Sequence, residues 1–175
     1  MTFLRRATML ALVLIPTAVA AQSASPIAAA LRESTEEQGR NLVAAADVMP
    51  ADKYGFKPTP AQMSFAEMVL HVAGGSTFLC ATIGGKERPN WPRLAATAPK
   101  DTLVARLRSA FEFCGTALAG LDDAKLAEMV PYFGGQQATR ARAILDLAAD
   151  WSDHYSQAAI YLRLNGLLPP TARPQ

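Results

Sequence analysis

Between Thr139 and Asn165, Ile144, Leu147, Trp151, His154, Ala158 and Tyr161 recur at alternating steps of three and four. That period is a heptad seam, which turns one face of an α-helix toward other helices; a strand, with a period of two, cannot use it. Gly166 follows as a C-terminal glycine, and Pro169-Pro170 prevents continuation. Three earlier stretches have the same character. The first runs from about Pro26 to Ala46, with Ser25 as N-cap and Pro26 at the first helical position. Its inward series is Ile27, Leu31, Thr35, Gln38, Leu42 and Ala45. The second starts at a capping box, Ser64-Phe65-Ala66-Glu67, and runs to about Ile83, stopping at Gly84-Gly85. Phe65, Met68, Val72, Gly75 and Leu79 mark its buried side, with His71 beside Met68 and Gly75. The third begins near Asp101 as N-cap and carries Leu103, Leu107, Ala110, Cys114, Leu118 and Leu121 on one face, with Phe111 alongside.

Segments 49–62, 86–100 and 121–138 hold most of the remaining prolines and the glycine pair Gly134-Gly135, and read as loops. No strand alternation or internal repeat competes. The expectation is one all-α domain, a four-helix bundle.

Residues 1–20 read as an address rather than as structure. Arg5 and Arg6 form a positive start, Ala7 to Ile15 an apolar stretch closed by Pro16, and Ala18-Val19-Ala20 a small-residue cleavage site. The apolar run is about fifteen residues, short of the roughly 20 that a spanning helix needs. The expected arrangement is a signal peptide over 1–20 and a bundle domain over 21–175, periplasmic or secreted, with no membrane association after cleavage. The whole chain has a net charge of +2, but two of its 17 basic residues leave with the leader, so the mature chain holds 15 against 15 acidic. A neutral domain without a Lys/Arg stripe offers nothing to nucleic acid.

Only two histidines exist in the chain, and both fall among bundle-facing residues. Asp150 lies four residues before His154, so the two side chains sit one turn apart on one face. With His71 from a facing helix they make an N, N, O donor set that leaves a coordination position open on a divalent ion. Spacing alone equally allows hydrogen-bonded core histidines, and an Asp150 that is solvated or paired with Arg142 or Arg163. Asp153 can orient an imidazole or be a solvated carboxylate; Tyr155, Glu67 and Gln38 are candidate pocket residues or surface and packing residues; Trp151 reads as core. No nucleophilic Ser-His-Asp order, GxSxG motif or phosphate-binding glycine loop is present.

Particular stretches resemble the DinB-like family of four-helix bundles, related to bacterial thiol S-transferases. They are Phe56-Lys57-Pro58-Thr59-Pro60 before Ser64-Phe65; Leu70-His71-Val72-Ala73; Asp153-His154-Tyr155-Ser156-Gln157; and Tyr161-Leu162-Arg163-Leu164-Asn165-Gly166 with Pro169-Pro170. The resemblance spans about Ile27 to Pro170. It implies a metal triad of one histidine in the second helix and two residues one turn apart in the last, which fall on His71, Asp150 and His154. Many members carry histidine where this chain has Asp150, and a carboxylate there favours oxygen-loving metals. Zinc, manganese, nickel and magnesium all stay open. The implied function is an exported, metal-dependent hydrolase or transferase acting on an unknown small molecule; export argues against cytosolic thiols as substrate. The alternative is a non-catalytic cell-envelope binding or stress-related module with a vestigial site. Bundles of the family often pair, so a homodimer is compatible with the resemblance, although no exposed apolar stripe in the sequence predicts one.

Cys80 falls late in the second helix and Cys114 on the inward face of the third. An oxidising compartment allows a disulfide, worth roughly 3–4 kcal/mol in the chain-entropy account. Two buried free thiols acting as small apolar side chains are the other reading.

Overall fold

Local chemistry sets where each helix starts, and tertiary contacts complete it. In the computed structural model, which describes residues 25–172, the four helices are α1 (Pro26–Val48), α2 (Phe65–Gly84), α3 (Lys100–Leu118) and α4 (Arg140–Leu164). The signal peptide and its cleavage after Ala20 lie outside the described residues. Ser64 and Glu67 form the capping box reciprocally: the Glu67 amide donates to Ser64 Oγ at 3.2 Å, and the Ser64 amide to Glu67 Oε2 at 2.6 Å. Thr139 caps α4 by accepting from the Arg142 amide.

Two caps differ from the sequence expectation. Ser25 does not cap α1; its hydroxyl donates to Asp122 instead. The free amides of Ile27 and Ala28 donate to the Asp123 carboxylate, at 2.9 and 2.8 Å. A carboxylate at a helix N-terminus satisfies orphan donors and the helix dipole together, even when it comes from about a hundred residues away. Ile27 is accordingly half exposed at this end rather than inward. Asp101 is not the cap of α3 either: the helix starts one residue earlier, after Pro99, and Asp101 lies in its first turn.

Around the bundle the order is α1, α3, α2, α4, each packed chiefly on its two neighbours in that ring. Consecutive α1 and α2 are therefore diagonal, and so are α3 and α4. The seam of α4 is buried throughout: Ile144, Leu147, Trp151, His154, Ala158 and Tyr161 all face inward. Trp151 is fully buried, as expected of core, and its indole N–H donates to Ser76 Oγ at 2.8 Å. Cys80 and Cys114, both buried, are joined by a disulfide linking α2 to α3 across 34 residues. Near the ends of these two helices, a side chain on Gly84 would fall onto the Ala117 carbonyl, so only glycine permits the approach.

Segment 121–138 is not merely loop. Strands β1 (Met129–Pro131) and β2 (Gln137–Thr139) form a small antiparallel hairpin, with Val130 opposite Ala138. Gly134 and Gly135, at φ 65° and 75°, make the reversal between them. The hairpin delivers Arg140, a nearly buried cation, to the end of α2. Its guanidinium donates to the Thr82 and Ile83 carbonyls, to the Lys125 carbonyl, and to Glu128 Oε2 at 2.8 Å. Thr82 also accepts from the Gly85 amide, so it is the Ile83 carbonyl that Arg140 supplies with a donor.

Candidate metal centre

α2 and α4 are neighbours in the ring, which brings His71 from one against Asp150 and His154 from the other. One donor atom from each lies within 4.8 Å of the others, and no other group of three such side chains occurs among the described residues. The imidazole rings are 4.8 Å apart at 33°. Asp150 Oδ1 is 3.3 Å from His154 Nδ1 and 3.9 Å from His71 Nε2.

The three side chains differ in exposure. That of His154 is 7% exposed, that of Asp150 26% and that of His71 50%. His71 thus departs from the inward position expected for it. Met68, Val72 and Leu79 occupy the centre of the buried face of α2, and His71 stands at its edge, where the seam with α4 opens to solvent.

The surroundings decide between the readings of Asp150. Arg142 is committed to Asp146, at 2.6 Å, and among the described residues Arg163 makes no ion pair, so only the two histidines lie within ion-pair distance of the Asp150 carboxylate. Asp150 Oδ2 is buried with no hydrogen-bond partner. It lies over Gly75, one turn along α2 from His71; a Cβ there would stand 3.8 Å from it. A buried carboxylate oxygen without a donor is costly unless a cation compensates it.

The donor set fits a divalent ion on these observations. Carboxylate oxygen and two imidazole nitrogens suit zinc and its neighbours in the first transition row. Donors about 2.1 Å from a tetrahedral ion stand about 3.4 Å apart, so a spread reaching 4.8 Å would have to close by about 1.4 Å to hold one. Half-exposed His71 is the side chain free to make that movement.

The other candidates fall outside this cluster. Asp153 is exposed and accepts from Gln157 at 2.8 Å, so it orients neither histidine. The Tyr155 hydroxyl donates to Thr171. Gln38 keeps its Oε1 buried and unpartnered on α1. Glu67 serves the capping box and pairs with Lys57 at 3.2 Å, and its carboxyl is lowered to about 2, first by the Ser64 amide, then by the Ser64 hydroxyl and Lys57. Glu67 also lines a cleft of about 1020 Å³ between α2 and the 86–98 segment, which His71 borders. In the sequence that segment carries only loop signals, and its one legible hint is the arginines interleaved with Trp91 and prolines. A second depression, about 510 Å³ between α1 and α3, contains none of the three candidate ligands.

Comparison with known proteins follows the same lines. A family model described as the DinB superfamily matches residues 34–158. The fold is similar to a DinB-like protein from Bacillus subtilis, at TM-score 0.66 and 18% identity, covering 83% of this chain and 99% of that one. A DinB-like protein from Bacillus cereus ATCC 10987 aligns at TM-score 0.65 and 17% identity, over 80% of this chain and 93% of that one. A mutant of the mycothiol-dependent maleylpyruvate isomerase aligns at TM-score 0.59 and 10% identity, over 74% of this chain and 59% of that one. Comparison with curated proteins gives no match.

Proposed function

Because the chain belongs to the DinB superfamily, we propose that it holds one divalent metal ion through His71, Asp150 and His154, as an exported metal-dependent hydrolase or transferase. The observation that carries this reading is the Asp150 carboxylate, whose Oδ1 faces both imidazoles, at 3.3 and 3.9 Å, while its Oδ2 is buried without a partner. An isolated core histidine pair would not need a carboxylate, and a structural ion pair would not leave one of its oxygens unsatisfied. Bound there, a divalent ion would supply Lewis acidity toward a substrate oxygen. Asp150 lowers the net charge of such a site, buried His154 holds a fixed orientation, and His71 faces the cleft from which a small molecule would arrive. The disulfide between α2 and α3 supports export, since such bonds persist in oxidising compartments.

Metal analysis of the full chain, expressed without a histidine tag, tests the reading. Wild type should carry about one zinc or manganese ion per chain after reconstitution, and His71→Ala should lose it. Wild type with no metal above background sinks the proposal; metal retained by His71→Ala refutes the assigned ligands.

A further inference from the structure

Three arginines, Arg88, Arg93 and Arg106, line the cleft that His71 borders. None of them makes an ion pair among the described residues. The one carboxylate on the lining, Glu67, is already taken by the Ser64 amide and Lys57. The cleft is therefore positive, although the mature chain is neutral.

Two of the arginines, Arg88 and Arg106, are also held without being neutralised. The Arg106 guanidinium stacks on the Trp91 ring, 5.1 Å from its centroid, and donates once, to the Pro92 carbonyl at 3.0 Å. Trp91 is itself braced edge-on by Phe113 at 6.5 Å. Arg88 lies over the Phe78 ring at 5.5 Å. Aromatic faces fix the plane of a guanidinium while leaving most of its N–H donors unused. Like charges gathered around one cleft repel, and no carboxylate lies within ion-pair distance of these three among the described residues. Planar, preoriented guanidinium forks suit the paired oxygens of a carboxylate or phosphate.

We propose that the cleft between α2 and the 86–98 segment is the binding site of a small oxyanion, a molecule bearing a carboxylate or phosphate. Arg88, Arg93 and Arg106 hold the anionic group, with the rest of the molecule reaching His71. That this end is where chemistry occurs rests on the metal-centre reading above; anion binding itself does not. The cleft volume, about 1020 Å³, accommodates a metabolite-sized ligand.

Calorimetric titration of inorganic phosphate, and separately of succinate, into metal-free full chain at low ionic strength tests this. At least one anion should bind saturably. Phosphate alone assigns a phosphoester group, succinate alone a carboxylate, and both together the shared oxyanion chemistry. Arg88→Ala/Arg93→Ala should weaken binding about tenfold or more. Both side chains are exposed, and circular dichroism checks that the variant is folded. Arg108→Ala, which removes a positive charge beside the α1–α3 depression, should leave binding unchanged. No saturable binding of either anion overturns the proposal; so does equal weakening by Arg108→Ala, or none in the double variant. His71→Ala separates the two proposals: it should lose metal and keep the anion. Anion binding in a chain that takes up no metal removes the metal reading alone, and metal uptake without anion binding removes this one alone.

Discussion

His154 Nδ1 lies 2.7 Å from the backbone carbonyl oxygen of Asp150, one turn earlier on α4. A carbonyl only accepts, so Nδ1 carries a proton and Nε2 is the ring nitrogen left to face a ligand. The same residue thus contributes twice: its carbonyl orients the imidazole, and its carboxylate joins the donor set. Such a bond behind a ligating histidine fixes its tautomer and raises its basicity.

Asp150→Asn separates these contributions, because it keeps the carbonyl and the side-chain shape but removes the charge. Wild type should melt higher with zinc present, since a ligand at a hundredfold its Kd stabilises by about 2.7 kcal/mol. Asp150→Asn should lose most of that rise while its metal-free melting curve stays cooperative. Differential scanning calorimetry with and without zinc checks it.

Arg140→Ala should destabilise the bundle by about 1–3 kcal/mol, because it leaves the Ile83 carbonyl without a donor and removes the second donor of the Thr82 and Lys125 carbonyls. Arg140→Lys should recover little, since a point charge cannot reach several acceptors in one plane. Urea midpoints of the three proteins measure this. A midpoint unchanged in Arg140→Ala would mean that the hairpin does not support α2.

Reduction of the Cys80–Cys114 bond, which closes a loop over a separation of 34 residues, should cost roughly 3–4 kcal/mol. The double variant Cys80→Ala/Cys114→Ala should unfold at a lower urea concentration and no longer respond to dithiothreitol. A non-reducing peptide map shows whether the bond is present in the exported protein.

Acid should remove the contribution of Glu67 in a defined window. Its carboxyl is lowered from 4.5 to about 2, first by the Ser64 amide, then by the Ser64 hydroxyl and Lys57. A lowered carboxylate adds stability that is whole above the unfolded value and is lost as pH falls toward the folded one. Between pH 4.5 and about 2, wild type should therefore lose stability that Glu67→Gln does not, because Gln keeps a capping side chain without titrating. Urea titrations across that range compare the two slopes; parallel slopes would remove Glu67 from the acid response.

The bundle is legible in the chain because helix packing writes a repeat into it. The α4 series and the Ser64–Glu67 box follow from local geometry alone, and both stand where the pattern places them. The Asp150–His154 pair is legible for the same reason, being one helical turn. Three-residue strands, in contrast, are too short to alternate, so the hairpin at Met129–Thr139 leaves no pattern to read. Arg140 looks misplaced at a helix start, where a cation opposes the dipole, until the end of α2 is beside it. Asp123 looks like a loop carboxylate until α1 is seen to end on it.

By itself the sequence determined the helices, the turns that stop them, and the residue types able to hold an ion. Only the tertiary structure decided that α2 stands beside α4, that His71 opens onto a cleft while His154 is enclosed, and that Asp150 Oδ2 is left without a donor. Periodicity records how each helix meets its surroundings, but which helix it meets is set by how all four faces pack together, and burial and partnership of a side chain depend on that neighbour.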